Sequence, residues 1–172
     1  VWTRSTAGVW SSASVYDAGS ALSFSMCPCL TVTPSGRVLL FHNWKVSTGT
    51  SQLRAWFSDD NGATWSTLSL LCNGGGTDIT TYDIKRMRCA YLNGTVLLAI
   101  WVQAAAAFVD AVLIYPSYDG GATFESGQAL ASEAAYCDLV TANGSFILGY
   151  IADDGAGNYL GYVMTIPSAG AD

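Results

Sequence analysis

The sequence predicts an all-β fold made of repeated antiparallel units, and three observations support that class. Residue usage favours Gly, Ser, Thr, Val, Tyr and Trp over the long helix formers Glu, Lys and Gln, as is typical of strands. Short apolar runs alternate with tight-turn signals of the Asn-Gly type, which favour two-residue hairpins. These turns also recur at a nearly regular spacing. We therefore expect short strands joined by hairpins along the 172 residues.

Composition excludes several classes of function. Apolar residues make up 51% and charged residues 12% of the chain, which excludes a disordered tail. Seven Lys and Arg against thirteen Asp and Glu give a net charge of −6, so a nucleic-acid duplex, which requires a cationic face, is a poor partner. No apolar run reaches the length of a membrane-spanning helix. Five cysteines favour an extracellular, cell-surface or virion-surface location.

Three turns mark the repeat. Gly36, Gly94 and Gly144 are separated by 58 and 50 residues, and one four-stranded propeller blade occupies about 40–50 residues. An apolar strand follows each turn, and residues 1–20 are expected to supply one additional outer strand. The expected blades span residues 23–71, 84–130 and 134–172.

Two later turns share the pattern Ser-x-Asp-x-Gly-x-Thr-aromatic, at residues 58–65 and 117–124. In such a turn the Asp side chain accepts hydrogen bonds from backbone amides, Gly supplies the positive φ and the aromatic ring packs beneath. We interpret both Asp residues as structural, because the ligand series of a calcium loop is missing. The pattern residues are Ser58, Asp60, Gly62, Trp65, Ser117, Asp119, Gly121 and Phe124.

At these residues the sequence resembles the Asp-box, or BNR, repeat of sialidase-like β-propellers. The resemblance implies about three four-stranded antiparallel blades, which make half of a six-bladed propeller or a self-complementing unit. A third box begins at Ser168, and the segment Trp10 to Tyr16 reads as an outer strand without inner partners. The expected partners are a second copy, joined head to tail as a ring or filament by strand complementation, or the rest of a longer propeller.

The resemblance also implies a central pocket at the inner-strand entrances, where sialidases bind a carboxylate with three arginines. Met26 occupies the position matched to the first of these arginines, which argues against sialidase activity. Arg86 and Arg88 lie at the same entrance of the second repeat, either as a ligand-facing patch or as neutralising partners of Asp83. Neither a catalytic residue nor a metal ligand or cofactor is predicted. The ligand-binding candidates are Arg86, Arg88, Tyr136 and Asp138.

The cysteines and sequons add further candidates. Cys29, Cys89 and Cys137 precede the three turns and are expected at equivalent positions of the inner strands. Cys27 with Cys72 is the preferred disulfide, although the odd cysteine count leaves the pairing open. Asn-x-Ser/Thr sequons on two equivalent turns are candidates for glycosylation, although Asn-Gly also serves the hairpin itself. The sequon residues are Asn93 and Asn143.

Two functions remain in competition. The first is a non-catalytic propeller module on a cell or virion surface, such as part of a fibre, that self-assembles and contacts glycans. The second is a fragment of a sialidase or another glycoside hydrolase, with exo-sialidase-like chemistry if it is an enzyme. The Gly/Ser/Thr-rich strands and incomplete terminal blades favour the first.

Overall fold

The computed structural model describes residues 2–4, 7, 10–12, 23–46, 51–68, 82–104 and 110–168. Within these ranges the chain is all-β and contains no helical residue, so no helix long and apolar enough to cross a membrane is found there. The predicted strands that follow the three turns all form. The strands are β1 (Trp2–Arg4), β2 (Trp10–Ser12), β3 (Ser23–Val32), β4 (Val38–Val46), β5 (Ser51–Ser58), β6 (Ser66–Leu68), β7 (Tyr82–Leu92), β8 (Thr95–Ala104), β9 (Asp110–Ser117), β10 (Gln128–Ser132), β11 (Ala134–Ala142), β12 (Ser145–Asp153) and β13 (Tyr159–Pro167).

Antiparallel pairing groups the strands into three blades. Strands β3 to β6 form blade I and β7 to β10 form blade II, each with four strands in chain order. Strands β11 to β13 form blade III, which has three strands among the described residues. The all-β propeller architecture predicted from the repeat is confirmed.

The N-terminal strands form a hairpin of their own. Trp10–Ser12 pairs with Trp2–Arg4 in a separate two-stranded sheet, because closing a local hairpin costs little loop entropy and pairs the backbone groups of both strands. That residues 1–20 supply an outer strand to a blade stays a prediction. Residues 13–20 lie outside the described part of the chain.

The two Asn-Gly turns adopt the conformation that the dipeptide predicts. Asn93 and Gly94 join β7 to β8 with φ of 46° and 85°, and Asn143 and Gly144 join β11 to β12 with φ of 50° and 75°. Positive φ at both central residues defines the type I′ hairpin, whose twist matches the flanking strands. The blade I turn is longer and runs from Thr33 to Arg37.

The blades stack through apolar faces. One buried cluster fills the interface between blades I and II, and a second fills the interface between blades II and III. We call the side of a blade toward the next blade in chain order its forward face and the other side its back face. Because blade II is covered on both faces, Val96 to Ile100 are at most 1% exposed. This explains why β8 reads as a continuous apolar run instead of an alternating one.

Candidate functional site

The first strand of each blade carries an irregularity at the same place. Strand β7 lies between β3 and β11 and contacts both. A β-bulge redirects side chains and is often found beside binding sites. The register shifts fall between Met26 and Cys29, Ile84 and Arg86, and Ala135 and Asp138.

The pairing register identifies equivalent residues of the three inner strands. Cys27 and Tyr136 both have a left-handed backbone, with φ of 52° and 54°, and Arg86 takes the corresponding position of β7. Cys27, and not Met26, is therefore the blade I residue that matches Arg86. Two residues further along, Cys29, Arg88 and Asp138 are equivalent. Their cross-strand partners on β4, β8 and β12 are Phe41, Ala99 and Gly149, respectively.

This register shows that the predicted equivalence of three cysteines is wrong. Cys29 takes the position of Arg88, whereas Cys89 and Cys137 lie at two other positions of their strands. The longer turn of blade I shifts the register of β3 against β7, and Cys137 falls within the bulge of β11.

The predicted disulfide of Cys27 with Cys72 stays a prediction. The Cys27 thiol donates a hydrogen bond to the backbone oxygen of Lys85 at 3.0 Å. Its expected partner, Cys72, lies outside the described residues. Burial raises the pKa of the Cys27 thiol, and the nearby charges of Arg88 and Arg86 oppose that rise.

Arg88 and Asp138 connect blades II and III. Nε of Arg88 donates to Oδ1 of Asp138 at 2.8 Å, and its NH1 group donates to the backbone oxygen of Met87 at 3.0 Å. The hydrogen bond from Arg88 holds the pKa of the Asp138 carboxyl below its usual range, despite a smaller opposing effect of burial. Asp83 forms its ion pair with Lys85, at 2.9 Å. Arg88 is thus engaged by Asp138 and not by Asp83.

Trp101 and Tyr136 form an aromatic surface across the same two blades. Their ring centroids are 4.5 Å apart with an angle of 36° between the planes, and Tyr136 is 56% exposed. The sequence favours a core position for Trp101, and the ring does pack against the interface between blades II and III. Its contact with Tyr136 was not predicted. The signal that could have indicated the contact is the strand register, which places Trp101 on β8 directly opposite Arg86 on β7.

Two nitrogen donors at this place have no acceptor in the described part of the chain. They are Nε of Arg86 and Nε1 of Trp101, and the two residues are direct cross-strand partners. A buried donor without a partner costs about 1–3 kcal/mol, so the spot favours an acceptor oxygen from water or a ligand. We call Arg86, Arg88, Trp101, Tyr136 and Asp138 the inner-strand cluster.

The Asp boxes lie at the other end of the blades. The amide of Gly120 in the second box donates to the oxygen of Gly94 at 3.0 Å, in the turn that follows Leu92. Leu92 lies about 13 Å along β7 from Arg88 at the usual rise per residue. The box and the inner-strand cluster are therefore separate sites.

In the first box the Asp60 carboxylate accepts hydrogen bonds from its own turn. The donors are the Ser58 hydroxyl at 2.8 Å and the Thr64 amide and hydroxyl at 2.8 and 2.6 Å. The Ser58 oxygen in turn accepts the Gly62 amide at 2.8 Å, and the Trp65 indole donates to the Gly62 oxygen at 3.0 Å. These contacts support a structural role. No group of three or more metal-ligating side chains occurs in the described ranges.

The second box repeats the Ser and Asp hydrogen bonds of the first, without the indole bond of Trp65, and is also docked onto blade I. The ring of Phe124 is 3% exposed and meets the ring of Phe41 edge to face at 5.5 Å. Gly121 has φ of 90°, and an added Cβ would lie 2.3 Å from Cδ1 of Leu39. Ser117 and Asp119 fix the turn that brings this glycine into place.

The sequon asparagines occupy turn tips. Nδ2 of Asn93 donates to the hydroxyl oxygen of Ser168 at 3.2 Å, and Ser168, itself buried, donates to the oxygen of Gly144 at 3.2 Å. Asn93 thus connects blade II to Ser168, where the third box is predicted to begin. Asn143 is exposed. Glycosylation of either asparagine stays a prediction.

Stacked antiparallel blades, bulged inner strands and Asp-box turns together define a segment of a sialidase-like β-propeller. The chain belongs to the BNR repeat-like domain family, whose model matches residues 1–150. No curated protein matches the chain in sequence.

Several solved structures are similar in fold. A Hadza microbial sialidase is 18% identical with a TM-score of 0.62, over 83% of this chain and 32% of its own. An α-L-arabinanase of Penicillium chrysogenum is 18% identical with a TM-score of 0.59, over 83% and 46%. An α-L-arabinofuranosidase of Fusarium graminearum is 16% identical with a TM-score of 0.61, over 83% and 45%. The chain thus spans less than half the length of each of these proteins.

Proposed function

We propose that this chain is a carbohydrate-binding propeller segment that holds glycans at the inner-strand cluster without cleaving them, on the outside of a cell or virion. The observation that supports this function is the Trp101–Tyr136 ring pair beside the unsatisfied donors of Arg86 and Trp101. The rings offer an apolar surface to a sugar face. Both donors are buried and lack a described acceptor, so a sugar that supplies a carboxylate or hydroxyl oxygen to them must first open the cluster. The guanidinium then forms the stronger, charge-assisted bond.

The charge state of Asp138 argues against one catalytic role. A glycosidase carboxylate pair includes a general acid, which needs a raised pKa near neutral pH, and a nucleophile or base, which must be ionised. The hydrogen bond from Arg88 lowers the pKa of Asp138, which does not suit the general acid. Asp138 is suited to orienting Arg88 and accepting hydrogen bonds from sugar hydroxyls.

The test is a glycan array of acidic and neutral oligosaccharides, followed by calorimetry on the best ligand. Tyr136→Ala should weaken binding by about threefold to tenfold, the worth of one aromatic contact. Tyr159→Ala is the matched control, because Tyr159 is 65% exposed on the same blade and lies outside the cluster. Arg86→Gln should weaken acidic ligands more than neutral ones. Failure of every glycan to bind, or equal losses in the Tyr136 and Tyr159 variants, would refute the proposal.

A segment of a glycoside hydrolase is the second candidate, favoured by the likeness to a sialidase, an α-L-arabinanase and an α-L-arabinofuranosidase. Fluorogenic sialoside and arabinoside reporters discriminate between the two functions. We expect no measurable product at neutral or mildly acidic pH. Turnover that disappears in Arg86→Ala or Arg88→Ala would establish the hydrolase instead.

The end blades each present an apolar face that no described residue covers. On the forward face of blade III, Val163 is 76% exposed. Val163 occupies the blade III position that Ile114 occupies in blade II, because Val163 pairs with Gly149 and Ile114 pairs with Ala99. Ile114 is buried against blade III. At the other end, Leu30 on the back face of blade I is 55% exposed. The uncovered positions therefore repeat those that form the interfaces between blades.

These faces lead us to propose a second copy as the partner, packed head to tail so that blade III of one copy covers blade I of the other. Two copies supply six blades, with each new interface continuing the observed stacking. Light scattering should show a dimer, and Val163→Asp should shift it toward monomer. Tyr118→Asp is the control, because Tyr118 is similarly exposed in a box turn. A monomer at all concentrations would refute the second copy and leave a longer propeller chain as the source of further blades.

A further inference from the structure

The described part of the chain contains three Asn-Gly pairs, which begin at Asn61, Asn93 and Asn143. A fourth pair, at residues 73–74, lies outside it. Asparagine is a chemically labile residue, and its side chain is most reactive before glycine, whose amide nitrogen no side chain shields. All three asparagines are exposed and have positive φ, of 57°, 46° and 50° in chain order. Exposure and φ of the asparagine therefore do not distinguish the three pairs.

The amide nitrogen of the following glycine does distinguish them. Gly62 is buried, and its amide donates to the hydroxyl oxygen of Ser58 at 2.8 Å. Gly94 is half-buried, and its amide donates to the hydroxyl oxygen of Tyr91 at 2.8 Å. Gly144 is exposed, and its amide has no acceptor among the described residues. Only the third nitrogen is thus both open to water and without a hydrogen bond in the part of the chain that the structure describes.

The surroundings of the two equivalent hairpins show the same contrast. Nδ2 of Asn93 donates to the hydroxyl oxygen of Ser168 at 3.2 Å, whereas the Asn143 side chain has no partner within the described ranges. Thr141 stands three residues before Gly144, where the other hairpin has its tyrosine. A Cβ built on Gly144 would meet no atom within 4 Å. The third pair therefore has both the free groups and the room for its side chain and backbone to react together.

We propose that Asn143 is a deamidation site in the folded protein, while Asn61 and Asn93 are protected. Hydroxide takes the amide proton of Gly144, and the nitrogen attacks Cγ of Asn143 and forms a new C–N bond. The side-chain nitrogen takes up a proton from water and leaves as ammonia, which closes a cyclic succinimide. Water then opens the ring at either carbonyl. One asparagine and one water give one ammonia and either aspartate or isoaspartate.

The hydrogen bonds explain the protection of the other pairs. An amide that donates to a hydroxyl must lose that bond before its nitrogen can attack, and one such bond slows the step by about twofold to tenfold. Asn93 must also release Ser168, so its rate should be about tenfold or more below that of Asn143. This order follows from the fold and does not depend on glycan binding.

Deamidation changes the hairpin between β11 and β12. Isoaspartate adds one backbone carbon to a two-residue turn, whose conformation depends on its length. The backbone oxygen of Gly144 accepts the hydroxyl of Ser168 at 3.2 Å, so a longer turn displaces the acceptor of this buried serine. Both products also lack the side-chain nitrogen that the predicted sequon would use. Deamidation and glycosylation at Asn143 therefore exclude each other.

The experiment is incubation of the folded chain at mildly alkaline pH in water enriched in heavy oxygen, followed by proteolysis and mass spectrometry. The label enters during opening of the ring, so it separates deamidation in the folded chain from deamidation during digestion. We expect labelled aspartate and isoaspartate at position 143, and about tenfold less label at Asn93. The rate at Asn143 should rise with pH, because the attacking nitrogen must lose its proton.

The same incubation in urea is the control for intrinsic reactivity, because Asn93 and Asn143 should react at similar rates in the unfolded chain. Tyr91→Phe removes only the hydroxyl and should speed deamidation of Asn93 by about twofold to tenfold, with the rate at Asn143 unchanged. Equal label at Asn93 and Asn143 in the folded chain, or more label at Asn93, would overturn the proposal. That comparison uses the unmutated chain and holds even where Tyr91→Phe folds poorly.

Discussion

Replacing Asp119 by Ala removes the carboxylate that holds the second Asp-box turn. Oδ1 accepts the Ser117 hydroxyl at 2.8 Å and the Ala122 amide at 2.9 Å, and Oδ2 accepts the Thr123 hydroxyl at 2.6 Å. The Thr123 amide reaches both oxygens, at 2.9 and 3.0 Å. The substitution therefore leaves two backbone amides and two hydroxyls without this acceptor.

The size of the effect follows from these four donors and from solvent exposure. A hydrogen bond to a charged group contributes about 1.5–3 kcal/mol, but Asp119 is exposed and water replaces much of each bond. We expect Asp119→Ala to lower the free energy of unfolding by about 1–3 kcal/mol in total. In a domain of this size that loss lowers the melting temperature by about 3–9 °C.

The loss should depend on pH in a defined direction. Burial raises the pKa of Asp119, but hydrogen bonds from Thr123, Ser117 and Ala122 outweigh it and lower the pKa from 3.8 to about 2. Between these values the unfolded chain binds more protons than the folded one, so stability rises with pH. The contribution is complete above about pH 4 and is lost as the pH falls toward 2. The difference between wild type and variant should shrink over that interval.

Thermal unfolding followed by circular dichroism measures both effects. Glu125→Ala is the control, because it removes an exposed carboxylate from the same connection and should change stability by no more than about 0.5 kcal/mol. Asp60→Ala should destabilise in the same direction as Asp119→Ala. If Asp119→Ala melts like the control but loses glycan affinity, the boxes are binding sites and the structural reasoning is refuted.

Three further perturbations test local features. Gly121→Ala should lower the melting temperature more than Gly120→Ala, because both have positive φ but only at Gly121 would a Cβ meet Leu39; equal shifts would contradict the close packing. Burial lowers the pKa of His42, whose Nε2 accepts the Trp56 indole at 3.1 Å, so stability should fall as the pH drops below about 6.5. His42→Gln should reduce the dependence of the melting temperature on pH in this range. An unchanged pH dependence would show that another group causes it. Asn143→Gly should be tolerated and Asn143→Val should destabilise, since the residue has φ of 50°. Equal melting temperatures of the two variants would contradict a left-handed backbone at this turn.

The sequence predicts the local structure well because its signals are local. Asn-Gly fixes the two short hairpins, as the positive φ at Asn93 and Gly94 shows. The spacing of the turns indicates blades, since each blade is a unit of nearly constant length. The repeated box pattern likewise predicts hydrogen bonds that lie within one turn, such as that from the Thr64 amide to the Asp60 carboxylate.

Features that depend on the stacking of blades were not predictable in this way. The register of β3 against β7 depends on a longer turn and on bulges, so counting from the turns wrongly equates Cys29 with Cys89. The ion pair of Arg88 with Asp138 crosses 50 residues and two blades. Trp101 looks like an ordinary core residue until the position of Tyr136 is known. These contacts are set by tertiary packing, which no short motif encodes.

The central claim is that glycans bind at the inner-strand cluster, and its most direct test is an NMR titration of the nitrogen-labelled chain with the best array ligand. The indole N–H of Trp101 and the Nε–H of Arg86 should shift saturably, because both donors have no described acceptor. The resonance of the Trp65 indole N–H, which already donates to Gly62, should not shift. Shifts of Trp65 and the box amides, with Trp101 and Arg86 unmoved, would contradict the claim.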